Sequence, residues 1–184
     1  YFCTIGTHVF CLECVLFCNL NVSIKVSSDF GDKIGWITGS DFPTAYRKNL
    51  KSHLVGRVKS DNLVEDLLAL KSPAYEHIDE RYAQRYLSRS AILGLIAVHE
   101  AMMDADVIGQ VDPRRLAFVL GTGIGGGIEI SPFKSMLERG EKLPPTGMPK
   151  TQPENAMIQL AIAYGAKGPS QTITAACSAA NAAF

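Results

Sequence analysis

The sequence predicts an α/β fold in which helices are layered on a largely buried sheet. Three stretches carry that expectation. Ile92, Leu95, Ile96, His99, Met102 and Met103 recur at helical spacing, so residues 92–103 read as an apolar-faced helix. Residues 116–120 are a short continuous apolar run, the pattern of a strand buried on both faces. Residues 155–164 give another apolar helix, and residues 171–175 a second strand that leads directly into Cys177.

Composition sets the outer limits. The 184 residues are 47% hydrophobic and 20% charged, which excludes disorder as the main state and suffices for a real core. Eighteen basic residues cancel eighteen acidic ones, so no general electrostatic attraction to nucleic acid or anionic membrane exists. Five cysteines, four of them in the first tenth of the chain, make no even disulfide framework and favour a reducing compartment. Residues 9–20 are apolar, but Glu13 interrupts them and no basic segment precedes them. Neither a signal peptide nor a membrane helix is expected there.

The elements follow in chain order. Cys11 and Cys14 form a C-x-x-C, and His8 and Cys18 complete a four-ligand set on paper. Zinc sites, however, usually use two such pairs on knuckles with Gly or Pro, and here the neighbours are apolar. A buried strand or helix with cysteine as a small hydrophobe is the expectation, and no metal. Residues 27–37, punctuated by Gly31 and Gly35, read as a loop, and Asp41-Phe42-Pro43-Thr44 as a turn. Residues 48–58, with His53, read as a solvated basic face. Residues 62–70 suit a short amphipathic helix, and residues 75–86, with interleaved charges and tyrosines, an exposed helix-rich connector.

The helix over 92–103 has Ser88 or Ser90 as its N-cap, and His99 on its apolar face reads as a satisfied core histidine rather than a catalyst. Asp112-Pro113 makes a turn. Ser131-Pro132 has the form of an N-cap with proline at the first helical position, and Gly140 that of a helix stop. Pro144, Pro145, Pro149 and Pro153 punctuate a long ordered loop, and Gly165 closes the helix over 155–164.

Two places could carry chemistry. Gly121, Gly123 and Gly126 satisfy G-x-G-x-x-G after a strand, with Glu138 or Glu141 at a plausible distance for a ribose contact. This is the pattern of a dinucleotide-binding oxidoreductase. That fingerprint needs a helix to begin inside the glycines, whereas Ser131-Pro132 puts the next start later. Close approach of the backbone to another ligand or element explains the glycines equally well. Cys177, among Ala and Ser at a strand-to-helix turn, would meet the positive end of a helix dipole, which favours thiolate and a nucleophilic role. A buried structural cysteine is the alternative.

Four segments together resemble the N-terminal half of a β-ketoacyl-acyl carrier protein synthase of the synthase II type, in the thiolase superfamily. They are Ser40-Asp41-Phe42-Pro43-Thr44, Gly121-Thr122-Gly123-Ile124-Gly125-Gly126, Tyr164-Gly165-Ala166-Lys167-Gly168-Pro169-Ser170 and Thr174-Ala175-Ala176-Cys177. The resemblance runs from Gly31 to Phe184. It implies a thiolase-like αβαβα fold, with residues 31–184 forming the N-terminal half of the synthase domain and a mixed sheet between helix layers. Residues 1–30 are an atypical apolar, Cys-rich segment without a counterpart in the family.

By that resemblance Cys177 accepts an acyl group from an acyl carrier protein thioester, and its own N–H supplies an oxyanion donor, typically worth ~3–4 kcal/mol. Gly123 and Ile124 match positions lining the acyl pocket. Malonyl-acyl carrier protein would then condense with the acyl-cysteine in fatty acid biosynthesis, or in the related polyketide ketosynthases. No cofactor is implied. The implied partners are acyl- and malonyl-loaded acyl carrier protein and a second copy of the chain, joined along the strand before Cys177. The implied compartment is the cytoplasm, or a plastid or mitochondrion in a eukaryote. The non-catalytic chain-length partner of the family lacks the cysteine and is disfavoured. His8, His53, His77 and His99 match none of the family's catalytic histidines. Those and its catalytic lysine belong to the C-terminal half, so residues 1–184 alone are not expected to complete the condensation.

Overall fold

The computed structural model describes residues 2–5, 8–11, 34–38, 54–58, 60 and 62–183. Near the N-terminus β1 (Phe2–Ile5) pairs antiparallel with β2 (His8–Cys11). The apolar cysteine-bearing stretch thus begins as strand, one of the two expected forms. Cys14 and Cys18, the turn at residues 41–44 and His53 lie outside the described residues.

The loop expected over residues 27–37 is corrected at its end. β3 (Ile34–Thr38) pairs antiparallel with β4 (Leu54–Val58), Trp36 opposite Gly56. Gly35 punctuates nothing here. It lies within a run of Ile, Trp, Ile and Thr whose β-branched and aromatic character suits a strand, and glycine at one rung does not break a ladder.

From residue 62 the chain builds one core. Helix α1 (Leu63–Ala69) is capped by Asn62, whose side chain accepts from the Val64 amide, and buries Leu63 and Leu67. A 3-10 turn (Pro73–Tyr75) and α2 (Glu80–Tyr86) follow. The exposed connector expected over 75–86 is only half right. Tyr75, Ile78 and Ala83 are core residues, and Tyr75 donates its hydroxyl to the Leu95 carbonyl at 2.7 Å. Tyrosine interleaved with charge resembles a solvated face in sequence, yet a ring whose hydroxyl finds a buried acceptor goes inside.

Helix α3 (Arg89–Asp104) is the centre of the fold. Ser88 caps it, accepting from the Ala91 amide at 3.1 Å, and every residue from Ser90 to His99 is buried. The helix is apolar nearly all round because it is surrounded: α1 packs on one side and α6 (Asn155–Ala163) on another. Gly94 meets Ala156 at that second contact, where an added Cβ would sit 3.7 Å from the Ala156 Cβ, so the two backbones run close. Met103, expected on the core face, is 60% exposed, and Met102 beside it, 2% exposed, carries the buried face to the end of the helix. His99 is buried as expected, beside the Tyr75 ring, but its Nδ1 has no hydrogen-bond partner.

The sheet strand β5 (Val119–Thr122) is displaced from the expected 116–120 toward the glycines, with Leu120, Gly121 and Thr122 all buried. Pairing decides this. β5 runs parallel to β6 (Gln171–Thr174) in the register Val119 with Gln171 through Thr122 with Thr174. β6 stops one residue short of the expected 175. Beyond β5 a 3-10 turn (Gly125–Glu129) runs straight into α4 (Ile130–Glu138). The expected Ser131-Pro132 start is therefore wrong: Pro132 is the third residue of α4, where a missing N–H costs nothing because the first-turn amides have no intrahelical acceptor. Gly140 (φ +72°) does end α4, with its amide bonded to the Leu137 carbonyl and that of Glu141 to Met136. The proline-rich loop holds a helix of its own, α5 (Gly147–Thr151), with Pro149 in its first turn. Gly165 (φ +61°) closes α6 with the same paired amide bonds that end α4. After β6 a 3-10 turn (Ala176–Ser178) leads into α7 (Ala179–Ala183), which packs back on β5 and β6. The fold is thus mixed, helices around a small parallel sheet.

Candidate active site

The parallel pairing of β5 and β6 determines what can meet. Parallel neighbours bring their C-terminal ends to one edge, and in α/β proteins that edge is where ligands bind. The glycine run leaves β5 at Thr122, and the cysteine turn leaves β6 at Thr174, directly across the ladder. Gly123, Ile124 and Cys177, far apart in sequence, therefore emerge at the same end of adjacent strands.

Cys177 is a free, exposed thiol in the middle of the Ala176–Ser178 turn. The residue before it, Ala176, has φ +45°, a left-handed conformation that costs a residue with a Cβ about 1–2 kcal/mol. The turn is held on both sides. Ser178 donates its amide and its hydroxyl to the Ala175 carbonyl at 3.0 and 2.8 Å, and Ala179, buried, anchors α7. Strain so supported keeps the thiol on a tight corner between strand and helix rather than inside the core.

The glycine run is shaped by its own protein. Thr122, fully buried, accepts the Gly125 amide on its hydroxyl at 2.8 Å. Gly125 (φ +57°) lies so close to Pro153 that an added Cβ would sit 2.5 Å from its Cα, and a Cβ on Gly126 would overlap the Lys150 carbonyl. The close-approach explanation of the glycines is therefore the one the structure bears out, with α5 and Pro153, two residues beyond it, as the approaching element. A 3-10 turn does begin inside the glycines, against expectation, but the face that would cradle a pyrophosphate is occupied at Gly126. Glu138 and Glu141, the two ribose candidates, lie beside Lys134 and Arg139 on the surface of α4 and its C-terminal end. Gly123 is half-buried, while Ile124 is 64% exposed and caps the 3-10 turn.

Glu129, Lys150 and Pro153 were invisible as site-framing residues in the sequence. Their partners are distant in the chain, and no spacing rule links a glutamate after glycines to a lysine between prolines. Thr122 could have been singled out as the one hydroxyl between the first glycines. Among the described residues no cluster of histidine, cysteine, aspartate and glutamate could hold a metal ion, and no helix is long and apolar enough to cross a membrane.

Comparison with known proteins bears on all of this. A 3-oxoacyl-[acyl-carrier-protein] synthase 2 of Staphylococcus aureus is 33% identical over 129 residues, covering 68% of this chain and 29% of that protein. Nodulation protein E of Rhizobium meliloti is 31% identical over 112 residues, covering 59% of this chain and 28% of that protein. The matched segment thus spans less than a third of each relative. The family model described as the beta-ketoacyl synthase N-terminal domain matches residues 31–184. The chain belongs to the beta-ketoacyl synthase family, its match lying on the N-terminal domain.

Proposed function

We propose that this chain is the acyl-accepting part of a 3-oxoacyl-[acyl-carrier-protein] synthase, with Cys177 as its nucleophile. The observation that carries the proposal is the exposed Cys177 thiol on its strained turn, at the same sheet edge as Gly123 and Ile124. In the proposed step the Cys177 sulfur attacks the carbonyl carbon of an acyl carrier protein thioester. The oxyanion that develops is stabilised by backbone donors, the Cys177 N–H among them. Collapse breaks the bond to the carrier's sulfur, which departs with the proton that Cys177 gave up, and leaves an acyl-cysteine. Gly123 and Ile124 line the channel for the acyl chain. Condensation follows when malonyl-acyl carrier protein loses CO₂ and its α-carbon attacks the acyl-cysteine carbonyl, expelling the Cys177 thiolate and giving a 3-oxoacyl product.

The wider proposal has a thiolase-like layered domain from residue 31 onward, preceded by the atypical apolar, Cys-rich segment of residues 1–30, whose β1 packs against β5 and α3. It has two copies of the chain joined along β6 and an aqueous compartment shared with the carrier protein. Fatty acid biosynthesis is the proposed setting, supported by the likeness to the Staphylococcus aureus 3-oxoacyl-[acyl-carrier-protein] synthase 2. A polyketide ketosynthase of the same family uses the same first step.

Limiting iodoacetamide, followed by peptide mass spectrometry, tests the assignment. Cys177 should be alkylated ahead of the other cysteines. An acyl-N-acetylcysteamine thioester should add its acyl mass to the parent chain and not to Cys177→Ser. Equal labelling of all five cysteines, or acyl mass retained in Cys177→Ser, would overturn the proposal.

A further inference from the structure

We infer that Glu129, Lys150 and Gly127 are positioning residues that fix the seat of the Ile124 side chain and thereby set which acyl chains reach Cys177. The inference rests on the proposal that Ile124 lines the acyl channel.

Ile124 must be open to the space an acyl chain enters and yet hold one position, and the geometry shows how both are met. Its side chain lies over Gly127. A Cβ built on Gly127 would fall 2.6 Å from Ile124 Cγ1 and 2.8 Å from Cδ1, so only a bare residue leaves room for the isoleucine in this orientation. The Gly127 amide also donates to the Ile124 carbonyl at 3.2 Å, closing the turn beneath the side chain. Ile124 can therefore be no better placed than the turn itself.

The turn is tied down at three points on three different elements. Glu129, its last residue, accepts the Arg89 amide on Oε1 at 3.2 Å, at the N-terminus of the sixteen-residue α3, where negative charge is favoured. Its other oxygen faces Lys150 Nζ at 3.8 Å, and the same Nζ donates to the Gln84 carbonyl near the end of α2 at 3.1 Å. The Lys150 backbone lies against Gly126, so this residue holds the turn by side chain and main chain together. Both charged side chains are over four-fifths covered, at 16% and 19% exposure, which sets them apart from ordinary surface pairs. Loss of the ammonium frees Glu129 from Lys150 and from α2 at once, leaving only the main-chain contact at Gly126 to hold the turn on α5, and Ile124 moves with its loosened end.

The experiment measures the ratio of acyl-Cys177 formation from sixteen-carbon and eight-carbon acyl-N-acetylcysteamine thioesters, by intact-protein mass spectrometry. Lys150→Met keeps the aliphatic stem and removes the strap; Gly127→Ala displaces the isoleucine by a separate route. Each should shift the ratio about tenfold, the scale on which a hydrophobic pocket discriminates methylenes. Iodoacetamide labelling of Cys177 should be unchanged. In an Ile124→Ala background Lys150→Met should shift the ratio no further, because the side chain it positions is gone. A merely structural strap would act equally in both backgrounds, and that result, or an unchanged ratio in both single variants, would overturn the inference while leaving Cys177 as the nucleophile. A parent chain that takes no acyl group while iodoacetamide still labels it would overturn the underlying proposal, and the selectivity role with it.

Discussion

The Asn155 carboxamide holds the backbone on either side of Ser88's entry into α3. Its Oδ1 accepts the Ser88 amide at 2.9 Å, and its Nδ2 donates to the Tyr86 carbonyl at 3.0 Å. Asn155 begins α6 and is 2% exposed, so one buried side chain registers the two central helices. Ser88 in turn caps α3 with its hydroxyl. The joint between α2, α3 and α6 is therefore polar, with Ser88 and Asn155 buried and the Tyr86 carbonyl part-buried.

Removing that clamp orphans the buried Ser88 amide and the part-buried Tyr86 carbonyl, at up to ~1–3 kcal/mol for each. Asn155→Ala should lower the unfolding free energy by about 2–4 kcal/mol in urea titration. Asn155→Asp should cost at least as much, because it sets a carboxylate oxygen against the Tyr86 carbonyl. An Asp variant as stable as the parent would show that the Nδ2 bond contributes nothing.

The glycines separate into two classes that substitution should distinguish. At Gly140 an alanine meets nothing within 4 Å and incurs only the left-handed backbone cost of ~1–2 kcal/mol. At Gly126 it meets the Lys150 carbonyl, which is backbone and cannot swing aside. Gly126→Ala should cost well over the ~1–3 kcal/mol of ordinary overpacking, and Gly140→Ala clearly less. Thermal denaturation of the two variants side by side provides the check, and equal midpoints would refute the close approach.

This contrast also marks where the sequence was legible. The helices α1, α3 and α6 could be read because each has a local signal: a capping Asn62 or Ser88, an apolar period, a closing Gly165. The β3–β4 pair and the helix among the prolines could not, since glycine and proline punctuate in one context and pack in another. At the candidate site, Cys177 and the Gly121–Gly126 run stood out by residue type. What joins them is the parallel register of β5 and β6, a relationship between chain segments that no local window contains. The Glu129–Lys150 strap escaped for the same reason.

His99 makes stability depend on pH. Burial lowers its pKa from the ordinary 6.5, so the folded protein resists protonation that the unfolded chain accepts. The unfolded state then binds more protons below about pH 6.5, and stability falls as the pH drops from there toward the depressed folded value. Above that window the term vanishes. Urea midpoints at pH 7.5 and pH 5 should therefore diverge more in the parent than in His99→Leu, which also removes the unpartnered Nδ1. Identical pH dependence in the two proteins would show that protonated His99 finds accommodation in the core.

The last prediction concerns the outer edge of β6. Among the described residues β6 has a strand neighbour on one side only, β5, and its Thr172-Ile173-Thr174 stretch is β-branched and uncharged. Thr172 and Ile173 are half-buried, and the Thr172 hydroxyl oxygen is enclosed without a partner. An unpaired edge of this character invites another strand, and a two-fold axis would place the same edge on both copies. Ile173→Lys puts a charge at that seam, a standard device against edge pairing. Size-exclusion chromatography with light scattering should find a dimer for the parent chain and monomer or aggregate for the variant. A variant that remains a well-behaved dimer would place the interface on another face.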